Sequence, residues 1–175
     1  MRVLFVCTGN ICRSPTAERL AAAYAAVHGI PDLTASSAGT RAVIGHPIHP
    51  NAAIILEELG SDPSNFAARQ LKPKIAAAAD LIIAMTNTHR DIVLETAPRQ
   101  LQRTFTLTEV ARLASLDGAD TLAELAALRP HLTANDIADI PDPIGQSPEV
   151  FAAIGAQIAG LLPPIMELCR RTIRA

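Results

Sequence analysis

Five residues separate Cys7 from Arg13, a spacing that can build an anion cradle with a nucleophile at its floor. Loop amides and a following helix N-terminus carry partial positive charge, which stabilises a thiolate. The same groups form a site for phosphate oxygens. Arg13 adds a planar fork of donors that matches two such oxygens at once. A thiolate set against a bound phosphate can attack phosphorus in line, and water can then hydrolyse the resulting phosphocysteine. That route needs a proton for the leaving group. Asp136, Asp139 and Asp142 are the carboxylates grouped late in the chain that could supply it. Of these, Asp142 precedes Pro143, which restricts it to an extended backbone and helps to aim it.

The flanks decide whether the spacing is more than chance. Val3, Leu4, Phe5 and Val6 run straight into Cys7 and read as a buried parallel strand, over 2–6. Gly9 and Asn10 tolerate the left-handed backbone that a tight anion loop requires. Ser14 reads as a helix cap and Pro15 as the first helical residue. Leu20, Tyr24 and Val27 then recur at helical spacing. Further strands are expected at 33–37, 81–84 and 104–107. Helices are expected at 15–28, 50–59, 72–79, 89–95, 107–116, 121–128 and 148–171. This alternation implies an α/β fold with a parallel sheet covered on both faces, built as one domain over residues 1–175. Ligands in such sheets bind beyond the carboxyl ends of the strands, where Cys7 falls. Pro163 and Pro164 should kink or split the last helix.

Val6-Cys7-Thr8-Gly9-Asn10-Ile11-Cys12-Arg13-Ser14-Pro15 resembles the signature loop of the low-molecular-weight protein tyrosine phosphatases. Ser36-Ser37-Ala38-Gly39-Thr40, Ala68-Arg69-Gln70-Leu71, 79–86 and Ile140-Pro141-Asp142-Pro143 resemble later segments of that family, in order. The stretch between Glu109 and Asp139 is longer than the family's. The resemblance implies a four-stranded sheet in order 2-1-3-4, the phosphotyrosine phosphatase I-like fold. It implies Cys7 as nucleophile, Arg13 as phosphate clamp and Asp142 as general acid. Thr8, Gly9, Asn10, Ile11, Cys12 and Ser14 would surround the phosphate, with Ser14 hydrogen-bonded to the departing sulfur. Asn10 would be braced by Ser37 and by a histidine whose matching position here is Phe66. Cys12 would be either a redox partner of Cys7 or a small buried residue, and Cys169 a core residue.

The activity implied is cysteine-dependent, metal-independent hydrolysis of phosphotyrosine in proteins. Family members place aromatic residues after Asp-Pro, whereas Ile144 stands here, so ring selectivity should be weaker. Relatives that act on phosphoarginine carry threonine where this chain has Ile11, which favours phosphotyrosine. Alternatives are a protein-arginine phosphatase, an arsenate reductase of the same fold, or a non-catalytic phosphate-binding module. The reductase would need a relay of cysteines that Cys169 poorly supplies.

Composition narrows the classes further. A chain of 175 residues with 49% hydrophobic residues can bury a substantial core. A formal charge of −2, four Phe, one Tyr and no Trp make no case for nucleic acid or an anionic membrane. The partner expected is instead a phosphorylated protein or peptide, met by a monomer. Three cysteines, two of them in the loop, argue against a secreted disulfide framework and for a cytoplasmic protein. No signal peptide is expected, because the apolar start meets Gly9-Asn10 at once. His46 and His49 lack nearby ligand partners, so no metal and no cofactor are expected.

Overall fold

The apolar run before the loop becomes strand β1, Arg2–Cys7, whose residues after Arg2 are all buried. The computed structural model describes residues 1–116, 118–133 and 137–174. Strand β2 spans Thr34–Gly39, β3 Leu81–Ala84 and β4 Thr104–Thr106. All pair in parallel, in the order β2-β1-β3-β4. Cys7 lies opposite Gly39 at the carboxyl end of this sheet. The chain leaves β1 for β2 on one side and reaches β3 on the other. The gap beyond β1 and β3 is therefore the switch point where ligands bind in sheets of this kind.

Helices cover both faces because strand side chains alternate. Val3, Phe5, Leu81, Ile83 and Phe105 point to one face. There they meet α1 (Arg13–Val27), α5 (Leu107–Ala114), α6 (Leu122–Leu128) and α7 (Pro148–Arg174). Leu4, Val6 and Ile82 point to the other, against α3 (Pro73–Ala77) and α4 (Asn87–Thr96). Each such side chain, fully buried, contributes about 1.5–3 kcal/mol. Helix α2 (Pro50–Glu58) packs Ala52 and Leu56 with Cys12 and Phe151 in a smaller cluster.

Two expectations need correction. Helix α1 begins at Arg13, with Cys12 in the capping position, so Ser14 is inside the first turn and does not cap it. The last helix is not split at Pro163-Pro164 but runs from Pro148 to Arg174. Its length and apolar composition would suffice to cross a membrane. In this fold it buries Phe151, Ile154, Ile158, Leu162 and Ile165 against the neighbouring helices. That burial offsets the helical hydrogen bonds the prolines cannot make.

Candidate active site

The loop after β1 is shaped by what its carbonyls meet. Cys7 O accepts from Thr40 N at 2.9 Å, Thr8 O from Arg41 N at 3.0 Å and Gly9 O from Val43 N at 2.9 Å. Ile11 O accepts from His49 N at 2.7 Å and Cys12 O from Thr16 N at 3.0 Å. The carbonyls thus turn away from the cleft. A trans peptide opposes its C=O and N–H, so the N–H groups of Thr8, Gly9, Asn10, Cys12 and Arg13 turn towards it. Asn10 makes the tight bend with φ of 55°. The result is a cradle of amides at the end of α1, around a cleft of about 340 Å³. Cys7, Thr8, Gly9, Ile11, Cys12, Arg13, Arg41, Val43, Asp142 and Ile144 line that cleft.

Side chains brace the loop from behind. Asn10 Oδ1 accepts from Arg69 N at 2.9 Å, which orients its amide. Asn10 Nδ2 then donates to Ser37 Oγ at 2.8 Å and to Ser14 Oγ at 3.0 Å. Ser37 Oγ in turn donates a hydrogen bond to Glu18 Oε2 at 2.5 Å. Ser14 has already accepted from Asn10, so its hydroxyl proton is free to point at Cys7 Sγ, 2.9 Å away. Of the two roles open to Ser14, the structure thus shows contact with sulfur. Glu18 was missed in the sequence, though it lies four residues after Ser14 and so on the same helical face. Phe66 holds the position expected for a histidine and packs instead with the Cys12 cluster. Asn10 is braced instead by Ser37 and the Arg69 main chain, with Glu18 beyond Ser37.

Arg13 is buried and bridges the switch point. Its Nη1 donates to Ile140 O at 3.0 Å, and its Nη2 pairs with Asp142 Oδ2 at 2.7 Å. Ile140 N in turn donates to Met85 O, just past β3, at 2.9 Å. The late loop is therefore pinned beside Cys7 with Asp142 at the cleft rim. Asp139 is placed elsewhere: its carboxylate accepts from Asn87 N at 2.7 Å, at the start of α4. Asp136 lies outside the described residues.

A second residue missed in the sequence is His89. Its ring joins Thr86 Oγ1, 2.9 Å from Nδ1, to Thr8 Oγ1, 2.8 Å from Nε2. Burial, and then the Arg13 charge, pull it down to about 4, against the opposing pull of Asp142 and Asp139. It is neutral near pH 7. Cys12 faces the Ile48, Ala52 and Leu56 cluster, and burial pushes its thiol up to about 12. Cys169 is fully buried in α7 and likewise raised to about 12 by burial, as befits a core residue. His49 caps α2 through Nδ1, accepting from Asn51 N, and stacks on Phe151. Among the described residues no group of three or more His, Cys, Asp or Glu converges as a metal site.

Known proteins resemble the chain throughout. A family model described as low molecular weight phosphotyrosine protein phosphatase matches residues 2–120. A protein-arginine-phosphatase from Geobacillus stearothermophilus is 31% identical over 166 residues, covering 95% of this chain and 94% of that relative. The low molecular weight protein-tyrosine-phosphatase Ptp of Acinetobacter johnsonii is 36% identical over 105 residues, 60% of this chain and 70% of its own. Among solved structures, a YwlE arginine phosphatase mutant with a phosphorylated active-site serine matches with a TM-score of 0.78. Its sequence is 27% identical, covering 95% of this chain and 94% of its own.

Proposed function

We propose that this chain, which belongs to the low molecular weight phosphotyrosine protein phosphatase family, hydrolyses phosphotyrosine in proteins through a phosphocysteine intermediate. The observation that carries the reading is the placement of Cys7 Sγ beneath a cradle whose Arg13 reaches across to Asp142 at 2.7 Å. In the resting cleft that ion pair occupies one arm of the guanidinium fork. An incoming phosphate dianion competes for the fork and displaces Asp142. Like-charge repulsion from the same dianion then favours the protonated acid. Cys7 attacks phosphorus as the bond to the tyrosine oxygen breaks, and Asp142 gives that oxygen its proton. In the second half, Asp142 takes a proton from water, which attacks the phosphocysteine. The sulfur leaves as a thiolate that Ser14 meets with its hydroxyl proton. The loop amides and Arg13 supply the positive charge at the phosphate, so the reaction calls on no metal.

The matched arginine phosphatase structure, a mutant phosphorylated on its active-site serine, supports a covalent phosphoryl group at the nucleophile position. It also favours a second reading, hydrolysis of phosphoarginine, as does the protein-arginine-phosphatase 31% identical over 95% of this chain. The flank of the cleft argues for phosphotyrosine. Ile11, Val43 and Ile144 offer apolar contact to a phenyl ring and no hydrogen bond to a guanidine. Ile144 gives no ring stacking, which is worth about 0.5–1.5 kcal/mol, so discrimination should be about three- to tenfold weaker than with an aromatic wall. Three free cysteines suit a reducing, cytoplasmic setting in which the Cys7 thiolate stays active.

The test is kcat/KM on matched phosphotyrosine, phosphoserine and phosphoarginine peptides, beside a Cys7→Ser variant. Phosphotyrosine should lead. Cys7→Ser should bind phosphate yet turn nothing over. Chelator-insensitive activity in that variant would falsify the covalent route. A lead for phosphoarginine would transfer the substrate assignment to the second reading.

A further inference from the structure

One cation of the cleft has no part in the chemistry just described. Arg41 is exposed and lines the same cleft as Cys7 and Asp142. Its backbone is held hard against the anion loop. Arg41 N donates to Thr8 O at 3.0 Å, and Gln70 spans its neighbours, accepting from Ala42 N at 3.0 Å and donating to Thr40 O at 2.9 Å. Two residues earlier the approach is closer still: a Cβ on Gly39 would fall 2.4 Å from Thr8 O. The rim is therefore rigid in its main chain and cationic at its tip.

The charges around Arg41 leave it unanswered. Arg13 and Asp142 are the other charged residues lining the cleft, and they answer each other. Among the described residues Arg41 has no ion-pair partner. Most of the ion-paired arginines have a carboxylate of their own, as Arg2 has Asp80 and Arg171 has Asp120. Beside Arg41 the wall is apolar: a Cβ on Gly9 would touch Ile11 and Val43, each at 3.5 Å. Arg41 and this apolar wall line the mouth of the same cleft.

We infer that Arg41 is a specificity-determining residue that selects phosphotyrosine flanked by acidic residues and disfavours a cationic phosphoamino acid. The inference rests on the phosphatase reading above. A carboxylate beside the phosphotyrosine finds an unpaired guanidinium at the rim. The guanidinium of phosphoarginine, still positively charged, meets a like charge there. The effect is that of an exposed ion pair, so it is modest and falls with salt.

The experiment measures binding in the Cys7→Ala background, so that it does not depend on turnover and no side-chain nucleophile is left to capture the phosphoryl group. Three phosphotyrosine peptides differ only in the flanking residue, which is Glu, Gln or Lys. Their Kd values are read by calorimetry at about 0.02 M and about 0.5 M salt, where the screening length falls from roughly 20 Å to roughly 4 Å. The Glu peptide should bind about two- to fivefold more tightly than the Lys peptide at low salt, equivalent to about 0.4–1 kcal/mol. Arg41→Gln should bring that ratio to about one and Arg41→Glu should invert it. A ratio of one in the parent, a ratio unchanged by Arg41→Gln, or no binding by any of the peptides overturns the inference. Turnover of p-nitrophenyl phosphate by the unmodified protein reports separately on the phosphatase reading. Arg41 can thus be wrong while the chemistry stands.

Discussion

In the proposed mechanism Asp142 must leave Arg13 before it can protonate a leaving group, so its worth depends on how much the leaving group needs the proton. Asp142→Ala should lower kcat by about 10²–10⁴ for phenyl phosphates with basic leaving groups. The loss should shrink for p-nitrophenyl phosphate, whose leaving anion is stable without a proton. Asp139→Ala should show no such dependence, because that carboxylate holds the start of α4. A leaving-group dependence in Asp139→Ala and none in Asp142→Ala would reverse the assignment. The same scale governs oxidation. Mild peroxide should convert Cys7 to a sulfenic acid and stop turnover. Cys12, raised to about 12, holds little thiolate and should trap that species slowly. Thiols should restore activity, and peptide mapping should find a Cys7–Cys12 link. Equal reversibility in Cys12→Ser would leave Cys12 a packing residue only.

At the scale of elements, the cradle depends on the strand beside it. The end of β2 lies against the end of β1, and Gly39 is the contact. A methyl there would lie 2.4 Å from Thr8 O and 3.0 Å from Ala42 Cα, both main-chain atoms that cannot rotate away. Gly39→Ala should therefore displace the Thr8 carbonyl and, with it, the amides facing the cleft. The expected cost is about 1–3 kcal/mol of stability, as for other overpacked sites. The loss of kcat/KM should be larger than the lost folding accounts for. Thermal unfolding and kinetics on the same preparation separate the two. A variant with a lowered Tm but unaltered kcat/KM would show that the segment after β2 does not shape the loop.

For the molecule as a whole, His89 links catalytic geometry to acid stability. Its folded value of about 4 lies below the ordinary 6.5. Between those values the unfolded chain binds a proton that the folded one does not. Stability from this group is complete above pH 6.5 and is lost as pH falls towards 4, on the order of 3 kcal/mol in total. Burial lowers the value most, Arg13 from α1 lowers it further, and Asp142 and Asp139 from the late loop oppose them; Thr8 and Thr86 hold the ring in place by hydrogen bonds. Urea unfolding at pH 7, 5.5 and 4 should show this loss. His89→Gln, which cannot titrate, should show a shallower slope than the parent. Parallel slopes in the two proteins would remove His89 as the cause.

Local order was legible in the chain because it is written at short range. Apolar residues running into Cys7, and the helical recurrence after Pro15, give β1, the loop and α1 without reference to any other segment. The strand order 2-1-3-4 came from the family resemblance, and the pairing of β1 with both β2 and β3 agrees with it. What tertiary structure alone decided are contacts between distant positions. Arg13 meets Asp142 across 129 positions, which separates Asp142 from Asp139. Thr8 meets His89 across 81 positions, and Asn10 meets Arg69 across 59. Glu18 of α1 meets Ser37 of β2 across 19 positions. Arg41 joins the cleft only because Gly39 lets β2 end against Thr8. Periodicity and capping specify which segments are strands and helices. Which loops share one end of the sheet follows from strand neighbours and crossovers, and those depend on packing across the whole core.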